Sequence, residues 1–339
     1  MVSSSAPGVS VDIAPLCYAP MRFCLMLEGQ EGVTWDEWVA AAQAAERLGF
    51  EAIFTSDHYL SVMGNRGRGS FDAWTNLAGL AAVTSTLRLG TLVSPVTFRE
   101  PAVLAKAAVT VDHISRGRVE IGIGAGWWEE EHRTHGFAFP PVDERFGRLE
   151  EQLEIVHGLL TEDVLTYEGN HYTLRDVPFA PKGVQVPHPP IIVGGGGGPR
   201  LARLVSRWAD EFNTVGVGPE EAGRRISGVR ARLDRDGRDQ TTLTTSVMTW
   251  CYVGATEAEA MDRIRRVFDR SMRAERFADE LDELRATCVV GSADQAVERL
   301  RAYEAAGVQR IMLNHELFDD LEMLEVLAAQ VFPQVADGS

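Results

Sequence analysis

The stretch at positions 21–55, MRFCLMLEGQEGVTWDEWVAAAQAAERLGFEAIFT, decides the fold because it contains one complete strand–helix–strand unit. Met21–Leu27 and Ala52–Thr55 are short apolar runs typical of buried strands. Between them, Trp35–Leu48 has apolar residues at helical spacing, and Thr34 is a candidate N-cap. The unit predicts two neighbouring parallel strands joined by a crossover helix.

The same alternation of strand-like runs and amphipathic stretches continues along the chain. The further predicted strands are Leu87–Val93, Val119–Gly124, Pro190–Val193, Ala209–Val215, Ser246–Val253 and Gln309–Leu313. Eight such units predict an α/β fold, a (β/α)8 TIM barrel with insertions. An open doubly wound sheet also alternates, but its GxGxxG fingerprint should occupy the first strand–helix turn, which reads Leu27-Glu28-Gly29-Gln30.

We expect a single barrel domain over residues 21–333 between two short tails, 1–20 and 334–339. The first tail is rich in Ser, Ala, Pro and Gly, has no features of a secretory signal, and is expected to be flexible. Gly169-Asn170 predicts a hairpin insertion near 165–174, and an extra helical segment is predicted near 256–287. No apolar run reaches the roughly 18 residues of a membrane span, so we expect a soluble, cytoplasmic protein without a membrane partner.

Composition argues against two classes of partner. The formal net charge of -16 disfavours nucleic acid, whose affinity depends on Lys and Arg displacing counterions. The four cysteines are far apart, and the histidines do not have HExxH spacing, so no metal site is predicted.

In an α/β barrel, the active site is built from residues at the carboxyl ends of the strands. The candidate residues at or just after the ends of the predicted strands are Glu28, Asp57, His58, Ser94, Gly124–Gly126, Trp127, Gly194–Gly198, Asn213, Trp250 and Asn314–Glu316. His58 can exchange a proton near neutral pH, although a strand-end histidine that only binds backbone is an equally good interpretation.

The glycine run Gly194–Gly198 lies between an apolar strand and an amphipathic helix. Such a turn exposes backbone N–H groups to an anion at the helix N-terminus, and Arg200 and Arg203 could add positive charge. A flexible turn without a ligand is the alternative, but five glycines exceed what a turn needs. Near the fourth strand, Gly126 would let a flat ring approach, and Trp127 could either line the pocket or pack in the core.

Several segments together resemble the luciferase-like monooxygenase superfamily, and within it the coenzyme F420-dependent oxidoreductases. They are Thr55–His58, Leu87–Thr91 with Pro101-Ala102, Gly117–Trp127 with Glu129–Glu131, Glu144–Phe146, Gly195–Pro199, and Ala209-Asp210 with Asn213. The resemblance extends from about Met21 to Leu313 in the order and spacing of the family.

The resemblance implies a bacterial luciferase-like barrel with the cofactor at its mouth and a non-prolyl cis peptide at Leu92-Val93. It places cofactor contacts at Asp57, Leu92, Val93, Gly126, Glu130, Gly197, Gly198, Arg200 and Leu201. The strand-end positions add Glu28, His58, Ser94 and Gly196 as candidates. The catalytic candidates are His58, Trp127 and Glu130, and His58 aligns with a residue proposed as proton donor in relatives.

The implied activity is hydride transfer between reduced F420 and a C=C, C=N or C=O bond of a small molecule. Two departures from the sugar-phosphate dehydrogenases of this superfamily argue against a sugar-phosphate substrate. Trp127 stands where those enzymes have a catalytic glutamate, and Val215–Gly218 lacks their phosphate-binding lysine. Two alternatives remain open, a two-component monooxygenase using reduced FMN and oxygen, and a non-catalytic flavin or deazaflavin carrier. The resemblance to the family also implies a homodimer.

Overall fold

Eight parallel strands form a closed barrel in the computed structural model, which describes residues 20–271 and 274–336. In chain order they are β1 (Arg22–Leu27), β2 (Ala52–Thr55), β3 (Arg88–Thr91), β4 (Val119–Gly124), β5 (Ile191–Gly194), β6 (Glu211–Val215), β7 (Thr244–Gly254) and β8 (Arg310–Asn314). Each strand pairs with the next, and β8 pairs with both β7 and β1, so the barrel closes. The predicted (β/α)8 fold is confirmed.

Helices surround the barrel. The main ones are Trp35–Arg47, Ala73–Val83, Pro101–Ser115, Val142–Thr161, Pro199–Trp208, Pro219–Asp236, Ala293–Ala305 and a C-terminal run of Glu322–Val326, Leu327–Val331 (a π-helix) and Phe332–Ala336. Additional helices are Glu129–His135, Glu257–Arg270 and Phe277–Thr287, with short 3-10 turns at Gly29–Glu31, Gln240–Thr242 and Ala274–Arg276. No described helix is long and apolar enough to cross a membrane.

The first unit shows how the sequence sets these elements. Thr34 and Glu37 form a capping box: the Thr34 hydroxyl accepts the Glu37 N–H at 3.3 Å, and the Glu37 carboxylate accepts the Thr34 N–H at 2.7 Å. The helix buries Trp38 and four alanines against the barrel. It therefore begins where the sequence predicted and ends at Arg47.

An ionic cluster closes the amino-terminal end of the barrel. Arg310 at the start of β8 bonds Glu120 of β4 at 2.6 Å and Glu211 of β6 at 2.8 Å, and all three side chains are buried. Burial would raise the pKa of Glu120, but Arg310 and Arg88 lower it to about 2. Above this cluster the interior is filled by an apolar layer that includes Met26, Phe54, Ile192, Met248 and Met312. The open end is thus the carboxyl end.

The insertions and ends modify the predicted boundaries. The hairpin pairs Val164–Glu168 with Thr173–Pro178 and is longer than the predicted 165–174. An additional strand that the sequence did not predict, Val289–Ser292, extends the sheet beside the end of β7. The C-terminal helix runs to Ala336 and buries Val335, so the predicted tail from 334 begins too early. The predicted N-terminal tail lies, except for residue 20, outside the described residues.

Candidate active site at the barrel mouth

A cavity of about 790 Å³ opens at the carboxyl ends of the strands. Residues from all eight strand ends or the segments that follow them contribute to its wall. Ten of the predicted site residues line it: Glu28, His58, Leu92, Val93, Gly126, Trp127, Gly196, Gly198, Arg200 and Leu201. The volume lies in the range that holds a cofactor and a small substrate.

Leu92 and Val93 give the cavity an apolar surface where β3 ends. The peptide bond between them is cis, as the family resemblance implied. The Val93 side chain packs directly against Gly124 and Gly194. A larger residue at Gly124 would clash with it, because a Cβ added there would lie 2.5 Å from a Val93 methyl group. These glycines on β4 and β5 therefore make room for Val93 beside the cavity.

The glycine run forms the turn between β5 and the helix Pro199–Trp208. The N-terminus of this helix has no side-chain cap, so its first N–H groups have no side-chain partner there. A Cβ added at Gly196 or Gly198 would contact nothing within 4 Å. Arg200 in the first helical turn is 3.4 Å from an Asp143 carboxylate oxygen and brings a guanidinium to the cavity wall. This combination suits a phosphate group.

His58 is the histidine held at the cavity by a buried carboxylate. Its Nδ1 lies 2.8 Å from Oε2 of Glu131, whose side chain is 1% exposed. The other oxygen of Glu131 accepts the N–H groups of Tyr59 at 2.6 Å and Leu60 at 3.1 Å. Glu131 thus engages Nδ1 and leaves Nε2 as the ring nitrogen that a molecule in the cavity can bind.

The carboxylate also controls the charge of the imidazole. Burial lowers the pKa of His58, but the hydrogen bond and charge of Glu131, together with the charges of Glu28 and Asp57, outweigh burial and raise it above its ordinary value. Burial raises the pKa of Glu131, and His58 and the backbone N–H groups lower it overall. His58 therefore keeps its proton to higher pH than an ordinary histidine.

With this geometry established, similarity to known proteins assigns the family. Residues 21–310 match the model of the luciferase-like monooxygenase family. The chain belongs to this family. It is 30% identical to the F420-dependent glucose-6-phosphate dehydrogenase of Intrasporangium calvum over 309 residues, which cover 85% of this chain and 91% of that protein.

Solved structures share the barrel of this chain. The coenzyme F420-dependent tetrahydromethanopterin reductase of Methanopyrus kandleri superposes with a TM-score of 0.79 at 19% identity, covering 94% of this chain and all of that one. A Baeyer-Villiger monooxygenase of Pseudomonas putida, in complex with FMN, gives 0.72 at 18% identity, covering 93% of this chain and 98% of that one. At these identities the structures establish the fold, and the family establishes that the chain is an enzyme.

Two of the residues that the sequence placed at the cofactor, Asp57 and Ser94, lie behind the cavity wall. Asp57 is buried, accepts a hydrogen bond from Ser94 at 2.6 Å and pairs with Arg99. Ser56 and His58 line the cavity, whereas Asp57 between them does not, because alternate side chains of extended backbone point to opposite sides.

Glu130 and Gly197 also lie outside the cavity wall. Glu130 forms an ion pair with Arg66, while its neighbour Glu131 reaches His58. Successive side chains on a helix diverge by about 100°, so only one of the two can face His58. A Cβ on Gly197 would lie 3.3 Å from Phe212, under the turn rather than in the cavity. The predicted Glu130 therefore does not reach His58, and Glu131 is the glutamate that contacts it.

The sequence missed several residues of the wall. Glu131 appears in the sequence analysis only within the segment Glu129–Glu131 and is given no role there. Gln30, which links Ser56 to Glu28 through hydrogen bonds, gives no signal because it lies beyond the strand end. Trp128 stacks on Trp127 with ring centroids 5.8 Å apart, and both rings stand edge-on to His58. Within the described parts of the chain, no group of three or more His, Cys, Asp or Glu residues is arranged to hold a metal ion.

Proposed function

We propose that the protein is an F420-dependent oxidoreductase that moves hydride between reduced deazaflavin and a C=C, C=N or C=O bond of a small molecule. The observation that carries the proposal is that one cavity contains both a glycine turn at an uncapped helix N-terminus and a histidine whose pKa a buried glutamate raises. The identity to a named F420-dependent dehydrogenase over most of the chain supports the choice of cofactor.

The residues present fit this cofactor. Gly196, Gly198 and Arg200 would hold its phosphate at the helix N-terminus, and Leu92 and Val93 would contact the ring. Asn213, buried on β6 at the cavity, has a side-chain oxygen without a hydrogen-bond partner and would accept one from a ligand N–H or O–H group. When bound, reduced F420 supplies the hydride.

His58 supplies the proton that this reaction needs. A substrate carbon that gains hydride leaves electron density on its partner atom, and that atom takes a proton from Nε2 of His58. Glu131 holds Nδ1, so the imidazole cannot turn away from the cavity without losing its hydrogen bond. The stacked Trp127 and Trp128 stand edge-on to His58 and line the cavity beside it.

The cavity does not favour a sugar phosphate. Arg200 is the sole Lys or Arg among the described residues that line it, and the proposal assigns Arg200 to the cofactor. Trp127 presents an apolar face instead. A neutral unsaturated or carbonyl compound is the substrate class that this wall accepts, although the Intrasporangium calvum relative is named for glucose-6-phosphate.

Turnover of reduced F420 tests the proposal. We expect the purified enzyme to oxidise reduced F420 with members of a panel of enones, imines and ketones. We expect His58→Ala to bind F420 with unchanged affinity and to lose about 10²- to 10⁴-fold in kcat, the usual contribution of a positioned general acid. A His58→Ala enzyme that binds F420 and turns over at the normal rate would remove His58 from the mechanism.

A second candidate is a monooxygenase that uses reduced FMN and oxygen, because the glycine turn would bind the FMN phosphate equally well. Turnover that needs FMN and oxygen, and does not proceed with F420, would establish it. Tight cofactor binding without turnover across the panel would instead favour a carrier. The homodimer and the cytoplasmic location also stay predictions, the first of which light scattering would test.

A further inference from the structure

Three exposed apolar side chains surround the mouth of the cavity, and we call them the apolar collar. Val62, Trp127 and Val215 are 40%, 63% and 41% exposed, and all three line the cavity. Val62 follows β2, Trp127 follows β4, and Val215 ends β6. Since β2, β4 and β6 are alternate strands of the barrel, the collar residues are spaced around the opening instead of forming a patch on one side.

The collar continues an apolar wall that leads into the cavity. Met63 after β2, Trp128 after β4 and Trp250 on β7 also line the cavity. Exposing large apolar side chains to water at a cavity mouth is unfavourable, and a ligand that covers them gains free energy from their burial. An apolar surface beside a binding cavity therefore marks a place where ligand is buried.

The cofactor is a poor occupant for the collar. Its phosphate requires N–H groups and positive charge, which the glycine turn and Arg200 supply at β5. Val62 and Val215 carry no charge and no hydrogen-bond donor for such a group, and Trp127 offers only its indole N–H. The carboxylates of Glu28 and Glu131, which line the same cavity, would repel it. The collar is therefore left to the substrate.

We propose that the substrate is an elongated apolar compound whose reactive double bond lies at His58 and whose hydrocarbon portion passes through the collar. This inference rests on the proposed function because it treats the cavity as a substrate site. The collar makes chain length, and not only the reacting group, a determinant of specificity. Compounds that end inside the cavity leave the collar exposed to water and gain nothing from it.

The test is the dependence of affinity on chain length. Butanone, hexanone, octanone and decanone are titrated into the F420-loaded enzyme by calorimetry, which requires no turnover. We expect the affinity to rise by up to about fourfold for each methylene group that becomes buried in the collar. In Val62→Thr and Val215→Thr the gain per methylene is smaller for the long ketones than in the wild type.

Val164→Thr is the matched control for Val215→Thr. Val164 is also an exposed strand valine, 52% exposed, but it belongs to the hairpin and does not line the cavity. We expect Val164→Thr to keep the wild-type dependence on chain length. A wild-type affinity that does not change from butanone to decanone would overturn the inference, as would an unchanged dependence in both collar variants.

The proposed function and this inference are tested independently of each other. If the protein binds no F420, the cofactor assignment is wrong, and the ketone series is then measured on the cofactor-free protein. Increasing affinity with chain length, lost in the collar variants, would still support an apolar substrate path. Turnover of reduced F420, with a ketone affinity that does not depend on chain length, would support the proposed function and overturn the inference about the collar.

Discussion

At the scale of single residues, the site depends on the contact between His58 and Glu131. The two residues lie on different segments, one after β2 and the other in the helix Glu129–His135, and the closed barrel brings them together. Glu131 also accepts two backbone N–H groups next to His58, so it fixes both the imidazole and the loop that carries it. We regard Glu131 as a positioning residue.

The prediction at this scale concerns pH. Glu131 raises the pKa of His58, and the proposed reaction needs protonated His58, so activity is present at low pH and is lost as pH rises through that pKa. In Glu131→Gln, burial acts without the opposing charge, and the pKa of His58 falls. We expect the alkaline limb of the kcat profile to move to lower pH, and the imidazole NMR titration of His58 to move with it.

Glu130→Gln is the matched control, because Glu130 pairs with Arg66 outside the cavity. We expect its pH profile to match that of the wild type. A profile that stays in place in Glu131→Gln, or that moves equally in both variants, would contradict the positioning role of Glu131.

These residues also show what the sequence could not specify. The end of β2 placed His58 at the barrel mouth, and this required only the strand pattern. Choosing Glu131 over Glu130 required knowing that the helix begins at Glu129, and helix starts are uncertain by one or two residues. The ion pair between Asp57 and Arg99 depends on a contact over 42 positions that no local pattern encodes.

At the scale of elements, the glycines of the turn between β5 and the helix Pro199–Trp208 are of two kinds: some are required by the backbone conformation, and others leave space at the cavity. Gly197 has φ +72°, a left-handed conformation that disfavours a side chain, whereas Gly196 has an ordinary φ and open space at its Cβ position. Gly197 is therefore needed for the turn, and Gly196 is positioned to admit the ligand.

We expect Gly197→Ala to lower the free energy of unfolding by about 1–2 kcal/mol, since the alanine Cβ is strained in the left-handed region. Gly196→Ala should leave the melting temperature unchanged but weaken F420 binding by at least about tenfold, about 1.4 kcal/mol, because its methyl group occupies the phosphate position. Thermal unfolding and calorimetric titration of both variants measure this. Normal F420 affinity in a stable Gly196→Ala protein would argue against phosphate binding at the turn.

Element boundaries followed from the sequence where local chemistry marked them. Thr34, the predicted N-cap, marked the correct start of the first helix. The helix Ala73–Val83 begins in a polar loop, where its N-cap, Asp72, accepts the Thr75 N–H at 2.9 Å. The third strand ends at Thr91, two residues early, where the chain turns at the cis bond.

At the scale of the whole molecule, the barrel is closed at one end and open at the other. The buried cluster of Arg310, Glu120 and Glu211 fills the amino-terminal end, and the cavity occupies the carboxyl end. The sequence predicted this polarity, because in parallel barrels strand ends and following loops form one face. Our central claim is that this face binds F420 in preference to FMN.

Equilibrium titration of the purified protein with oxidised F420 and with FMN tests that claim most directly. We expect F420 to bind at least about tenfold more tightly than FMN, a difference of about 1.4 kcal/mol in binding free energy. Tighter binding of FMN, or no binding of F420, would contradict the account.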